Sequence, residues 1–282
     1  MRLVDLSVII ENTPSEPMRI KIKKVSHKRG AKKIARESHY KNQKSLIKKI
    51  VYLSKYLFGK KLISNKDFPD EEFISLDTIT MPTHMGTHID APSHFGSKCE
   101  GKQARTIEQL PLDMFFGRGI LLDLRYKKPG EFILVEDIEK ALNVSGHTLR
   151  AGDIILLWTG MEEKWGTSEY FTKASGMSED STAYLVERGI KVIGIDSYGF
   201  DRPFGVMIQD FLRTKDNKVL WPAHFFGRKK EYVHIERLTN LASLEGKEFT
   251  VCCFPLPIKG ADASWSRVVA IVDDDNTEGC SD

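Results

Sequence analysis

Cysteine is scarce in this 282-residue chain: Cys99, Cys252, Cys253 and Cys280 are the only four, with no C-x-x-C spacing among them. A disulfide framework is therefore not expected, and Cys252 and Cys253, adjacent in an apolar run, read as buried strand. Long hydrophobic runs are also missing, so no stretch predicts a transmembrane span. The opening MRLVDLSVIIENTP has too short an apolar run for a signal peptide and carries Asp5 within it. A reducing, cytoplasmic setting is the expectation. The net charge of +3 gives no global attraction to nucleic acid. There is no internal repeat, no low-complexity linker and no G-x-S-x-G elbow; Ser93 beside His94 lacks the context of a Ser/His/Asp nucleophile.

Acidic residues are missing from one region. Between Arg19 and Lys61 there is one, Glu37, against sixteen Lys and Arg, leaving 26 basic and 38 acidic residues elsewhere. Such a shift marks residues 19–66 as a basic, partly helical insertion between an N-terminal strand or arm (1–18) and a catalytic domain (67–282). Within it, KSLIKKIVYLSKYLFGKK places Leu46, Ile50, Leu53 and Leu57 at helical spacing among lysines, predicting an amphipathic basic helix over 45–61 that ends near Gly59. Membrane surfaces, calmodulin-like partners and acidic carrier proteins favour such helices. So does the alternative of docking on the helix's own domain or on a twin subunit. Tyr40, Tyr52 and Tyr56 interleave with the basic runs, but no nucleic-acid-binding fold signature accompanies them.

From Asp77 onward the pattern predicts α/β structure. GRGILLDL (117–124), GDIILLWTG (152–160), GIKVIGIDS (189–197) and EFTVCCFPLPI (248–258) are short apolar runs bounded by turn signals, hence buried strands. VEDIEKALN (135–143) and SEDSTAYLVERG (178–189) carry helical periodicity, with Ser178 as N-cap and Gly189 as stop. ASWSRVVAIVDD predicts one closing strand.

The densest chemistry lies in HMGTHIDAPSHF, residues 84–95, which holds three of the chain's eight histidines and one aspartate. Pro82, Gly86, Thr87 and Pro92 disfavour a helix there. A straight strand would hold residues four apart roughly 13 Å from one another. Alternation nevertheless puts His84, Gly86, His88 and Asp90 on one side, and a bend at Gly86 lets the three side chains converge on a cation. Imidazole plus carboxylate suits Zn²⁺, with Mn²⁺ or Fe²⁺ as alternatives, and three ligands leave coordination positions open, as catalytic sites do.

HMGTHIDAPSHF resembles the signature H-x-G-T-H-x-D-x-P-x-H-F of the metal-dependent cyclase family, which includes bacterial kynurenine formamidase and isatin hydrolase. WTGMEEKWGTSEYF (158–171), GIKVIGIDS and PLPIKGADAS (255–264) extend the resemblance, as does DLS at 5–7. It implies the swivelling β/β/α fold and a homodimer or homotetramer. His84, His88 and Asp90 would hold the first metal. Asp90 would bridge to a second, completed by a histidine and glutamate twelve apart, here His224 and Glu236; His234, at the wrong offset, is set aside as a bystander. His94 would orient the activated water or carry its proton. Three features depart from the family's pattern: the basic insertion, DSYGFDRPFG in place of DSPSxD, and Trp265 where proline is frequent.

The chemistry expected is hydrolysis of an amide, lactam or ester bond in a small molecule, by water activated on one or two zinc ions, or the reverse ring closure. Alternatives are a biosynthetic cyclase or dehydratase acting on a carrier-bound chain, and a metal-bearing scaffold binding RNA or anionic lipid. Trp158, with Trp165 and Tyr170, is a candidate aromatic wall. Asp196 and Arg202 follow a predicted strand, where α/β folds place pockets; Arg202 would meet a substrate carboxylate or form a surface ion pair.

Overall fold

The computed structural model describes residues 1–38, 44–58 and 63–273. They divide into two units, Ile20–Met81 and the remainder, Met1–Arg19 with Pro82 onward.

In the smaller unit Lys21–Val25 pairs antiparallel with Leu76–Thr80, in register from Lys21↔Thr80 to Val25↔Leu76. Two helices lie between them, α1 (His27–Glu37) and α2 (Leu46–Phe58). The basic composition ends near Lys66, but this strand pairing carries the unit on to Met81, fifteen residues beyond the boundary that charge alone marks. The predicted helix over 45–61 is α2; its expected stop at Gly59, like Tyr40 and Cys280, lies outside the described residues.

The larger unit is built on a sheet with nine strands among the described residues: β1 (Arg2–Asp5), β2 (His88–Asp90), β3 (Phe116–Asp123), β4 (Ile154–Trp158), β5 (Val192–Ile195), β6 (Val233–Glu236), β7 (Phe249–Cys252), β8 (Ala263–Trp265) and β9 (Val269–Val272). Their order across the sheet is β1-β9-β7-β3-β4-β5-β6-β2-β8. β3, β4, β5 and β6 run parallel, and the flanking pairs are antiparallel. The central strands are apolar on both faces because both are covered. Ile154, Leu156 and Trp158 of β4 join one core with Leu241 and Leu244; Ile155 and Leu157 join another with Ile138 and Leu185 from two helices. Each such fully buried side chain contributes about 1.5–3 kcal/mol. The helices are α3 (Pro92–Phe95), α4 (Val135–Ser145), α5 (Glu179–Glu187), α6 (Phe204–Thr214) and α7 (Pro222–Phe226). Ser178 caps α5 by accepting from Ser181 N at 3.1 Å, and Gly189 follows it with φ +88°.

The closing stretch is two strands rather than one. It breaks over residues 266–268: β8 pairs with β2, and β9 pairs with β1 and β7 on the opposite side of the sheet. Cys99 and Cys253 are buried, and the three described cysteines are free thiols. No helix among the described residues is long and apolar enough to cross a membrane.

Candidate metal centre

The sheet order places β6 against β2, so Glu236 stands opposite His88 and His234 opposite Asp90. This register, more than any local motif, assembles the site. Gly86 supplies the bend ahead of β2 with φ +67°, a conformation that strains side-chain-bearing residues; a Cβ there would also lie 2.8 Å from Ile10 Cγ1. The N-terminal arm braces the bend. Gly86 N donates to Glu16 Oε1 (2.8 Å), Glu16 pairs with Arg237 (3.0 Å), and Arg237 Nη1 donates to the His84 carbonyl (2.5 Å).

Asp90, fully buried, is the centre. Its Oδ1 lies 2.8 Å from His84 Nδ1 and 3.3 Å from His88 Nε2. Its Oδ2 lies 2.8 Å from His234 Nε2, 3.7 Å from His94 Nε2 and 3.8 Å from His224 Nε2. Glu236 closes the other side, 3.6 Å from His88, 3.5 Å from His234 and 3.9 Å from His224. Metal-capable atoms group in three sets: His84, His88 and Asp90; Asp90, His224, His234 and Glu236; and His84, His94 and Asp262. All five predicted ligands and His94 thus come together. His234, set aside in the sequence as a bystander, lies among them as well. On a strand, residues two apart share a side, and His234 precedes Glu236 by two.

Surrounding groups fix the imidazoles. His88 Nδ1 donates to the Gly86 carbonyl (2.8 Å), turning Nε2 toward Asp90 and Glu236. Asp201 accepts from Ala223 N (2.8 Å) and His224 N (3.2 Å) at the start of α7, and from His224 Nδ1 (2.5 Å). One carboxylate therefore caps the helix and orients the histidine it carries. Asp262 Oδ2 holds two imidazoles, His84 Nε2 at 3.2 Å and His94 Nδ1 at 3.3 Å. Sequence reasoning missed Asp262. Its partners lie 178 and 168 residues away, and no spacing signals them.

The electrostatics are those of a strongly coupled cluster. Burial opposes ionisation of Asp90, but His88, His234 and His84 outweigh it and hold the carboxyl well below its usual range. Burial also works against a charged His84, yet Asp90 and Asp262 raise it to about 9. Burial and the neighbouring His224 lower His234. Two buried atoms at the centre, His88 Nε2 and Asp90 Oδ1, make no well-aligned hydrogen bond, although His84 Nδ1 lies 2.8 Å from Asp90 Oδ1 and His88 Nε2 3.3 Å from it. An unsatisfied imidazole lone pair beside an unsatisfied carboxylate oxygen is the donor set a divalent cation satisfies, so the residues fit a metal.

A cavity of about 460 Å³ lies beside His224, walled by Phe171, Tyr198, Phe204 and Trp221. Arg202 lines it, only 6% exposed rather than at the surface; its guanidinium pairs with Asp210 (2.9 Å) and stacks on Phe132, and its Nε and Nη2 have no partner. The other two predicted substrate contacts lie elsewhere. Asp196 accepts from Thr159 N (2.9 Å), Thr159 Oγ1 (2.6 Å) and Glu162 N (3.3 Å), a use that ties down the turn after β4. Trp158 lies beneath the Arg125 guanidinium and lines a separate cavity with Leu121 and Leu244. Trp165 and Tyr170 pack edge to face in a small core of their own.

Known proteins resemble the chain along most of its length. An uncharacterised protein of Methanocaldococcus jannaschii is 30% identical over 200 residues, 69% of this chain and 81% of that one. A kynurenine formamidase of Geobacillus thermodenitrificans is 27% identical over 195 residues, 69% of this chain and 78% of the relative. An isatin hydrolase solved with the product analogue thioisatinate superposes with a TM-score of 0.67 at 18% identity, covering 96% of this chain and 92% of that one, which bears out the cyclase-like α/β fold. The family described as "Putative cyclase" matches residues 4–202, and the chain belongs to it.

Proposed function

We propose that this protein is a metal-dependent hydrolase of the C–N bond of a small-molecule amide, formamide or lactam, with esters and the reverse ring closure as related reactions. The observation that carries the reading is the pair of unsatisfied atoms, His88 Nε2 and Asp90 Oδ1, buried amid six further metal-capable side chains. His84, His88 and Asp90 would hold one ion, and Asp90, His224, His234 and Glu236 a second. Zinc suits this mixture of imidazole and carboxylate, and manganese is the alternative. A bound divalent ion supplies a water acidified toward neutral pH and polarisation of the substrate carbonyl.

The protein's own groups carry the remaining tasks. Asp262 accepts from His94 Nδ1, which leaves Nε2 facing the cluster as proton acceptor; the same atom then returns the proton to the departing nitrogen. The aromatic walls beside His224 suit a ring-bearing substrate, and Arg202, which lines the same cavity, has two nitrogens without partners, Nε and Nη2, to meet its carboxylate. The similarity to a kynurenine formamidase supports amide chemistry. A panel of formanilides, lactams and lactones assayed with zinc or manganese tests the proposal. Turnover of a C–N substrate that stops on chelation and returns with metal is expected. Turnover indifferent to chelation refutes it.

A further inference from the structure

Helix α2 buries none of its thirteen residues. Leu46, Ile47, Ile50, Val51, Leu57 and Phe58 are all exposed, Phe58 to 89%. At 3.6 residues per turn, Leu46, Ile50, Leu53 and Leu57 form one line along the helix, flanked by Ile47, Val51 and Phe58. Lys48, Lys49 and Lys55 occupy the opposite side.

The same unit holds a groove of about 520 Å³ lined by Lys23, Lys24, Arg29, Lys32, Lys33 and Arg36, with Leu57 and Tyr56 of α2 completing the wall. No acidic residue lines it among the described residues. Leu57 belongs to both features, so an apolar stripe and six cations adjoin.

Each candidate partner must answer both features at once. A nucleic acid satisfies the cations but leaves seven apolar side chains in water. An acidic protein satisfies the charge, yet recognition helices of that kind seat a few spaced anchors rather than so wide a face. Pairing α2 with the α2 of a second copy covers the apolar stripes but leaves the six cations of each groove unanswered. An anionic bilayer supplies both, a plane of phosphates with the acyl boundary just beneath it.

We infer that residues 20–81 form an anionic-membrane docking surface. Helix α2 lies in the interface with Leu46, Ile50 and Leu57 downward, and the Lys23–Arg36 groove takes lipid phosphates. This does not rest on the hydrolase reading.

The test is co-sedimentation of the full-length protein with vesicles of phosphatidylcholine alone or with about 30 mol% phosphatidylserine. At about 0.1 M salt, binding at least about tenfold tighter to the anionic vesicles is expected, falling several-fold at about 0.5 M. Ile50→Ser with Leu57→Ser, and separately Lys32→Glu with Lys33→Glu, should each weaken binding about tenfold or more, with far-UV circular dichroism unchanged. All four side chains lie outside the metal cluster, so hydrolytic turnover in vesicle-free buffer should be unchanged. Binding to neither vesicle, equal binding to both, or binding that survives both variants overturns the inference. Self-association abolished by Ile50→Ser/Leu57→Ser without vesicle binding overturns it too, assigning the face to a second copy; an RNA or acidic protein bound in place of vesicles does the same.

Discussion

His234 Nε2 lies 2.8 Å from Asp90 Oδ2, and both side chains are fully buried. Phe200 stacks on the imidazole with ring centroids 4.5 Å apart, so the ring has little freedom to turn away. His234 therefore either ligates a cation directly or fixes the carboxylate that does. In both cases His234→Ala should weaken metal binding by about 10–100-fold, read by calorimetric titration of the metal-free protein. An unchanged affinity would make His234 a packing residue.

Asp201 is tied to His224 through the ring and through the backbone of α7. Asp201→Ala removes a helix cap costing about 1 kcal/mol and frees the ring to rotate. A melting temperature lowered by a few degrees together with a metal affinity lowered about 10–100-fold is expected. Loss of stability alone would confine Asp201 to capping.

Asp262 should act through His94. His94→Ala is expected to lower kcat by about 10²–10⁴-fold, and Asp262→Ala by less, with KM moving little in either. Because the two share one hydrogen bond, the double variant should resemble His94→Ala alone. Multiplying effects would mean that Asp262 works elsewhere, through His84.

Burial lifts the Asp196 carboxyl from 3.8 to about 6, against the hydrogen bonds from Thr159 and the Glu162 N–H that favour its anion. Below pH 3.8 the group is protonated in both folded and unfolded chains, and above about 6 it is ionised in both. Between these limits the folded state holds more protons, so stability falls as pH rises, by about 3 kcal/mol across the window. In denaturant titrations of the metal-free protein, the stability of the parent relative to Asp196→Asn should fall across that window, whatever slope the depressed carboxylates such as Asp90 add to both. A variant whose profile parallels the parent would mean that Asp196 titrates normally.

What could be read in the sequence followed from how local each feature is. HMGTHIDAPSHF is contiguous, and its glycine bend and alternation are properties of neighbouring residues, so the convergence of His84, His88 and Asp90 was legible. His224 and Glu236 were found through the family's spacing, and reliance on that spacing hid His234, although strand alternation places it beside Glu236. Asp262 depends on β8 joining β2, a pairing set by tertiary packing. The split of the closing strand has the same origin, since β8 and β9 answer to opposite sides of the sheet. Charge located the basic unit but not its end, because Lys21↔Thr80 is a contact between residues at its two extremes. Trp158 and Asp196 sit at strand ends where pockets are common, and only the side-chain partners distinguish a pocket wall from a turn anchor.

Metal content under substitution of Asp90 tests the central claim most directly, because this residue belongs to both candidate ligand sets that reach β6 and the 84–90 bend. After dialysis against trace zinc, elemental analysis of the parent protein should find one or two ions per chain, and Asp90→Ala with an unaltered circular dichroism spectrum should hold almost none and show no turnover. A parent protein that binds no divalent ion, or an Asp90→Ala protein that keeps both its ion and its activity, would contradict the account.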